Sequence, residues 1–444
     1  MLRDGPPPSS GEGALVRAMG TLGLAAGIVN VTIGGGIFRL PSGVAAVLGA
    51  AAPLAYVVCA MAMALIVVCF AEAGSRVSLT GGLYAYVEVA FGPFVGFVSG
   101  VLLWAGITAA LSAVTSFFAD SVAALQPSLT GAPGRTAIIL ALLAALTALN
   151  VRGVRGASRF NTLMTVAKLL PLLLLVAIGA FLVRAENLRW AHAPASGDVA
   201  RASMFLIFAF LGIESALVPS GEVRDPARTV PRAIFLAMGS IAVIYIAVQL
   251  VAQGVLGARL ATQQTPLAAA AAVVLGPWGR TLILVGSSLS MFGYVSGMTL
   301  AVPRMLFAFA RDGFLPARLA AVHPRFRTPH WAIVAQSVIV AALALSGSFE
   351  RLALVANGAV LLVYAACCLA AVELRRRNVR AGGVPFHLPG AVAAPWLALA
   401  VIVWMLASLQ RQEWIAVLAV AAAAVPVYLG THGRTRWRPA PARD

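Results

Sequence analysis

Lys168 is the one lysine among 32 basic side chains; the other 31 are arginine. It lies inside the apolar run 162–183. A desolvated lysine can lose its proton as its pKa falls, whereas a buried arginine stays charged, so a lysine at this depth is suited to proton exchange. Ionisable groups within membrane-spanning segments are candidate functional groups on that ground. The alternative is a lysine that snorkels to an interface with its stem in apolar surroundings. Two further stretches have the composition of a binding site. The first is Thr32, Ile33, Gly34, Gly35 and Gly36, followed by Ile37 and Phe38. Three successive glycines weaken a helix by about 1 kcal/mol each relative to alanine and allow the backbone to unwind. An opened half-helix offers N–H groups and a positive dipole end to a carboxylate. Close helix packing is the competing reading, because small residues also let helices approach. The second stretch is Phe208, Ala209, Phe210, Leu211, Gly212, Ile213 and Glu214, which places an aromatic pair, a glycine and a carboxylate together. For Phe208 and Phe210 ordinary helix packing is the alternative.

The elements that must carry these residues are membrane spans. Hydrophobic residues make up 61% of the 444 positions and charged residues only 11%. A spanning helix takes about 20 apolar residues. The apolar runs predict twelve transmembrane helices, centred near Val29, Ala62, Gly106, Leu143, Leu173, Phe210, Ile244, Met291, Gln336, Val360, Val401 and Ala421. Both candidate breaks then fall at mid-span, each in the first helix of a five-helix group. Paired interruptions in two halves are the sequence pointer to a transporter built from inverted repeats, with its ligand held at the midplane. No sequence identity between the halves supports the repeat, which rests on position and hydropathy. The boundaries expected are a tail 1–14, a first repeat 15–200, a second 201–378, two further helices within 379–431 and a tail 432–444. The first 13 residues are polar and proline-rich, and no cleavable leader is expected from them.

The net charge of +17 invites a nucleic-acid reading. The arginines instead gather in alternate connections, as the positive-inside rule requires if both termini are cytoplasmic. Arg375, Arg376, Arg377 and Arg380, or Arg434, Arg436 and Arg438, are then topology signals in contact with the bilayer surface. Neither nucleic acid nor nucleotide is expected as a partner, and a P-loop with its GK[ST] ending cannot be built with Lys168 as the one lysine. Cys59, Cys69, Cys367 and Cys368 read as small core residues, and His192, His323, His330, His387 and His432 lie in loops or tails. No metal, no cofactor and no enzymatic chemistry is expected.

Several motifs in order along the chain carry a resemblance: TIGGGIF from Thr32, SLTGGLYAY from Ser78, and the stretch from Asn150 through Arg152, Gly153 and Asn161 to Lys168. They continue with FAFLGIE from Phe208, SGEVRDPARTVPRAI from Ser220, and the block from Arg304 through ARDGFLP to Pro329. On these the chain resembles bacterial permeases of the amino acid-polyamine-organocation superfamily. The resemblance implies an all-α polytopic membrane protein with the leucine-transporter-like fold, 5+5 inverted repeats plus two helices. It implies that backbone N–H groups of Gly34, Gly35 and Gly36, beside Thr32, bind a substrate carboxylate. Carbonyls of Phe208, Ala209 and Leu211 would receive the ammonium, with Phe208, Phe210 and Glu214 in gating roles. Lys168 falls where relatives place a lysine whose ammonium replaces a sodium ion. Its expected neighbours are Val29, Thr32 and one of Ser287 or Ser290. It then either couples proton release to gating, or stays protonated and makes the protein independent of sodium.

The reading that follows is a secondary amino acid transporter of the cytoplasmic membrane. A neutral or small apolar L-amino acid would move by proton symport through alternating access. An exchanger, or a carrier of cationic amino acids or polyamines, is the rival within transport; Glu214 is the one central carboxylate, with Glu72 and Asp120 nearer span ends, and that scarcity disfavours polyamines. A sensor that binds amino acid without moving it is the rival from another class. Arg39, directly after the first break, is expected to face the outer vestibule, to steer a carboxylate or pair across a gate. The 220–234 loop, and Arg311 with Asp312, read as inner gate elements or as capped helix starts. The 78–91 segment is expected to pack beneath the site.

Overall fold

The computed structural model describes residues 20–77, 82–152, 169–214, 226–380, 386 and 392–431. Lys168, residues 220–225 of the 220–234 loop and the start of the 78–91 segment lie outside them. The described residues form helices and no strand. The first span is two helices, α1 (Thr21–Thr32) and α2 (Gly36–Leu48), and α3 (Ala52–Arg76) follows. A short α4 (Leu83–Phe91) leads into α5 (Pro93–Leu125) and α6 (Ala132–Arg152). After α7 (Leu169–Leu182) come α8 (Ser196–Phe210), α9 (Pro226–Leu256) and α10 (Pro266–Ala301), the last bent at Gly276 and Pro277. The chain ends in α11 (Pro303–Arg311), α12 (His330–Ser346), α13 (Phe349–Arg376), α14 (Ala394–Leu406) and α15 (Arg411–Thr431).

Each of the twelve centres inferred from hydropathy falls on one of these helices. By length and composition alone, seven of the helical stretches are able to cross a membrane. Burial separates centre from rim. The most apolar window of α13 is 72% buried and those of α2–α3 and α5 are 61% buried, whereas that of α15 is 11% buried. A helix that is apolar all round and unburied by protein must face lipid, so α15 is peripheral and α13 is the central post. Against α13 pack α3, α4, α5 and α8.

Where the apolar core meets charge, the charge is paired. Glu72 of α3, 3% exposed, accepts from Arg76 one turn on and from Arg375 of α13 at 2.7 Å. Arg201 of α8 grips Glu413 of α15 with two bonds of 2.6 and 2.7 Å, a bidentate pairing that fixes direction as well as distance. Gln336 of α12 accepts from Trp104 Nε1 and donates to Thr108 Oγ1, both at 3.0 Å, tying α12 to α5.

Helix α4 packs on α5 through Gly96, where an added Cβ would lie 2.6 Å from the Cβ of Glu88. Glu88 Oε1 is buried and has no hydrogen-bond partner among the described residues. Burial, and next the Asp312 carboxylate, push Glu88 up to about 7. Its neutral form is therefore favoured in the fold, and the stability tied to this group is lost as pH rises from the ordinary carboxylate range toward 7. Glu88→Gln should flatten that decline, read as thermal unfolding in detergent from about pH 5 to about pH 8; an unchanged profile would remove Glu88 from it.

Candidate functional site

The glycine run does what its composition allows. Helix α1 stops at Thr32, and α2 restarts at Gly36. The Gly34 N–H turns back to Thr32 O at 2.8 Å, so this amide is consumed by the break itself. The amides of Gly35 and Gly36 meet no protein acceptor among the described residues. They stand at the N-terminus of α2, where the dipole also favours an anion. Helix α8 ends at Phe210, and Gly212 follows at φ +105, a left-handed conformation that favours glycine. The Gly212 N–H donates to Glu214 Oε2 at 3.0 Å, which leaves the Phe208 carbonyl, its helical acceptor, without that donor. No donor among the described residues reaches the carbonyls of Phe208 or Leu211.

The two breaks lie against each other. A Cβ on Gly36 would sit 3.1 Å from Phe208 Cδ1 and 3.2 Å from Ala209 Cα. A Cβ on Gly212 would meet Val31 Cγ1 at 3.0 Å and Thr32 Cα at 3.5 Å. Tyr245 of α9 joins them: its hydroxyl lies 2.8 Å from Ala209 O and 3.2 Å from Thr32 O, one proton shared between the two broken helices. The Ala209 carbonyl, expected from the resemblance to face a ligand, is thus already engaged. Phe210 points away from the recess and packs edge-on to Tyr245, with ring centroids 5.3 Å apart.

Between the breaks is a narrow recess lined by Val31, Thr32, Gly34, Gly35, Gly36, Ala110, Val114, Phe208, Leu211 and Tyr294. At about 10 Å³ it has room in this conformation for about one water-sized group, so a larger ligand requires the two breaks to part. No charged side chain lines it. On one flank Phe208 meets Phe349 edge-on at 5.2 Å, Phe349 meets Phe117 at 5.7 Å, and the Arg39 guanidinium lies 6.0 Å from the Phe117 ring. Arg39 also pairs with Glu350 at 2.6 Å and donates to Gln264 Oε1 at 2.8 Å, so it closes a contact between α2 and the start of α13. On the other flank Glu214 Oε2 accepts from Tyr364 at 2.8 Å as well as from Gly212. A carboxylate held by neutral donors fixes the end of the broken α8 without a salt bridge.

Of the residues singled out from sequence, the structure brings Thr32, Gly34, Gly35, Gly36, Phe208 and Leu211 to this recess, with Ala209 and Glu214 behind it. Val29 accepts from Ile33 N at 3.0 Å within the end of α1. Ser287 donates to Leu284 O at 3.0 Å, while Ser290 is 3% exposed with no hydroxyl partner among the described residues. Tyr245, Tyr294, Tyr364, Ala110, Val114 and Glu350 were not anticipated. For Tyr245 a signal existed: with Gln249 and Gln253 it makes a polar i, i+4, i+8 row in an otherwise apolar span.

Two broken apolar helices that face open amides and open carbonyls across a chargeless recess define a membrane protein that carries a small polar molecule. The amino acid permease family model matches residues 19–427, and the chain belongs to that family. It is 29% identical to the methylthioribose transporter of Bacillus subtilis, over 94% of this chain and 93% of that protein. It is 26% identical to the branched-chain amino acid permease BcaP of the same organism, over 90% of both chains. It is also 26% identical to the serine/threonine exchanger SteT of that bacterium, over 95% of this chain and 98% of that protein.

Two substitutions test the joint between the breaks. Gly36→Ala drives a methyl toward the Ala209 backbone, which cannot swing aside, and should cost about 1–3 kcal/mol of stability. Its ligand affinity should fall at least tenfold, measured by thermal shift and competition binding; wild-type affinity would show that the close approach is dispensable. Tyr245→Phe keeps the ring but strips the shared proton, and should cost about 1–3 kcal/mol through carbonyls left unpaired. An unchanged melting temperature would show that water serves as well.

Proposed function

We propose that this permease is a secondary active transporter of a neutral, small or apolar L-amino acid, working by proton symport and alternating access in the cytoplasmic membrane. The observation that carries this reading is the pairing of open Gly35 and Gly36 amides with open Phe208 and Leu211 carbonyls across one recess without charged side chains. A zwitterion needs that arrangement: its carboxylate meets the amides and positive end of α2, and its ammonium meets the carbonyls where α8 breaks. With both charges met by backbone, a second charge on the substrate has no partner, and that weighs against cationic amino acids and polyamines. The apolar walls of Ala110, Val114 and Phe208 favour a neutral side chain.

In this reading the chain makes twelve crossings with both termini cytoplasmic. Residues 15–200 and 201–378 form the two five-helix repeats, whose first helices carry the breaks. Arg39 with Glu350 is the outer gate above the aromatic chain, and Glu214 with Tyr364 closes the inner side. Lys168 carries the coupling proton: its ammonium donates hydrogen bonds to the carbonyls that end α1, and release of the proton to water frees them. Ser290, with its hydroxyl open, is favoured over Ser287 as its partner on α10. The branched-chain permease and the serine/threonine exchanger among the relatives agree with a neutral substrate.

Uptake of labelled neutral amino acids into sodium-free proteoliposomes, with and without an inward proton gradient, tests the proposal. Accumulation should require the gradient, and Lys168→Ala should lose the pH dependence while the protein stays folded. Entry that ignores the gradient but needs preloaded amino acid would make the protein an exchanger and overturn proton symport. Binding without any entry would make it a sensor.

A further inference from the structure

We propose that Arg201 and Glu413 form a second outer latch, which holds the outer half of the broken α8 as Arg39 and Glu350 hold that of α2, so that the outer side opens only when both pairs part. The inference rests on the alternating access and the orientation proposed above. Arg201 stands seven residues before Phe208 on α8. Its guanidinium grips both oxygens of Glu413, at 2.6 and 2.7 Å, and also donates to Ser408 O at 3.0 Å. Glu413 lies in the first turn of α15, and its Oε2 accepts from Gln410 N at 2.7 Å as well, so the turn that receives Arg201 is itself fixed. The pairing of Arg39 has the same plan. Arg39 stands three residues after the start of α2, and Glu350 lies in the first turn of α13. Each outer half-helix thus extends one arginine to a glutamate at the start of a later helix.

What the two pairs join decides what they do. Helices α2 and α8 pack on each other, with the Ala209 backbone against Gly36 and Phe205 Cε1 3.4 Å from where a Cβ on Gly43 would be. Helices α13 and α15 both pack on α5, whose Ala110 and Val114 form the facing wall of the recess. The two ion pairs therefore tie one side of the recess to the other at two places, and a way in from outside opens only if α2 and α8 both leave the α5 wall. Neither pair can do the work of its counterpart, because each holds a different half-helix. Arg201 is 21% exposed and Glu413 8%, which shields the bond from the screening that leaves surface pairs worth little. The two-pronged grip also fixes direction, so a small sideways shift of α8 breaks it. Peripheral though it is, α15 thereby takes part in the gate.

Val114→Cys places a reporter thiol on the recess wall, and its alkylation by a membrane-impermeant maleimide is timed in right-side-out vesicles, alone and combined with Glu413→Gln. The native cysteines are buried, and the chain without the reporter sets the background. Glu413→Gln keeps the shape of the side chain and strips its charge. It should speed labelling about tenfold, the lower end of what a hydrogen bond to a charged group is worth. Exchanging the partners, Arg201→Glu with Glu413→Arg, should return the rate toward that of the reporter alone. With Glu350→Gln added to Glu413→Gln the two gains should multiply, since each pair must part. If Glu413→Gln is not monodisperse on size exclusion, Arg201→Lys, which keeps the charge and loses the two-pronged grip, takes its place with the same expectation. Labelling no faster than in the reporter alone, or an exchanged pair that labels as fast as Glu413→Gln, would overturn the latch. A gain confined to inside-out vesicles would overturn its assignment to the outer side. A reporter that stays unreactive at both faces in every variant would overturn alternating access itself, a result distinct from outer labelling that ignores Glu413.

Discussion

A broken helix inside an apolar interior leaves backbone groups that neither lipid nor side chain satisfies, and the centre of this protein is organised around two such breaks. Each unpaired amide or carbonyl at that depth is costly unless it lines a cavity or meets a partner. The structure divides the exposed groups into two sets. One set is closed internally: Gly34 N on Thr32 O, Gly212 N on Glu214, and the carbonyls of Thr32 and Ala209 on the Tyr245 hydroxyl. The other, the amides of Gly35 and Gly36 and the carbonyls of Phe208 and Leu211, is left open toward the recess. The internal bonds hold the breaks in shape, and on the proposed reading the open ones supply affinity, so the same unwinding that destabilises the helices creates the site.

Glycine at positions 36 and 212 is required for a reason beyond unwinding. Position 36 must approach the Ala209 backbone, and position 212 must adopt a positive φ while lying on Val31 and Thr32. The two helices are thereby locked to each other as well as to α9. Charges have been kept off this joint. Ion pairs among the described residues, Arg39 with Glu350, Glu72 with Arg375, and Arg201 with Glu413, link helices that are far apart in sequence. A buried ion pair adds little net stability to a membrane core, but it fixes which helix neighbours which.

Much of this was legible from residue order. The glycine run and the FAFLGIE stretch point to the breaks because they fall in corresponding places of the two halves, which close helix packing, the competing reading of the glycines, does not require. The hydropathy maxima locate the helices because lipid imposes one length and one composition on them. Tyr245 escaped because its partners are main-chain carbonyls, and a sequence does not show which carbonyls a fold leaves open. Glu350 escaped because it lies 311 positions from Arg39, and no local pattern links them. Ala110, Val114 and Tyr294 escaped for another reason: on long apolar helices every face looks alike, and only the packing of α5 and α10 against α2 selects the three that reach the recess. The Gly34 N–H closes the turn on Thr32 O, which no residue order announces, and leaves the amides of Gly35 and Gly36 as the ones without a protein acceptor among the described residues.

The division of labour between backbone and side chain has a consequence for how such a site can diversify. On the proposed reading, main-chain groups at the breaks recognise what every α-amino acid shares, and no side chain supplies them. Selectivity is then confined to the few positions on α5 and α10 that face the rest of the ligand. On the proposed reading, a change at Ala110 or Val114 alters the side-chain preference without touching the backbone groups, whereas a change at Gly36 or Gly212 disturbs the joint between the breaks. Relatives that share the fold at 26–29% identity and carry names as different as branched-chain permease, serine/threonine exchanger and methylthioribose transporter are what that arrangement leads one to expect.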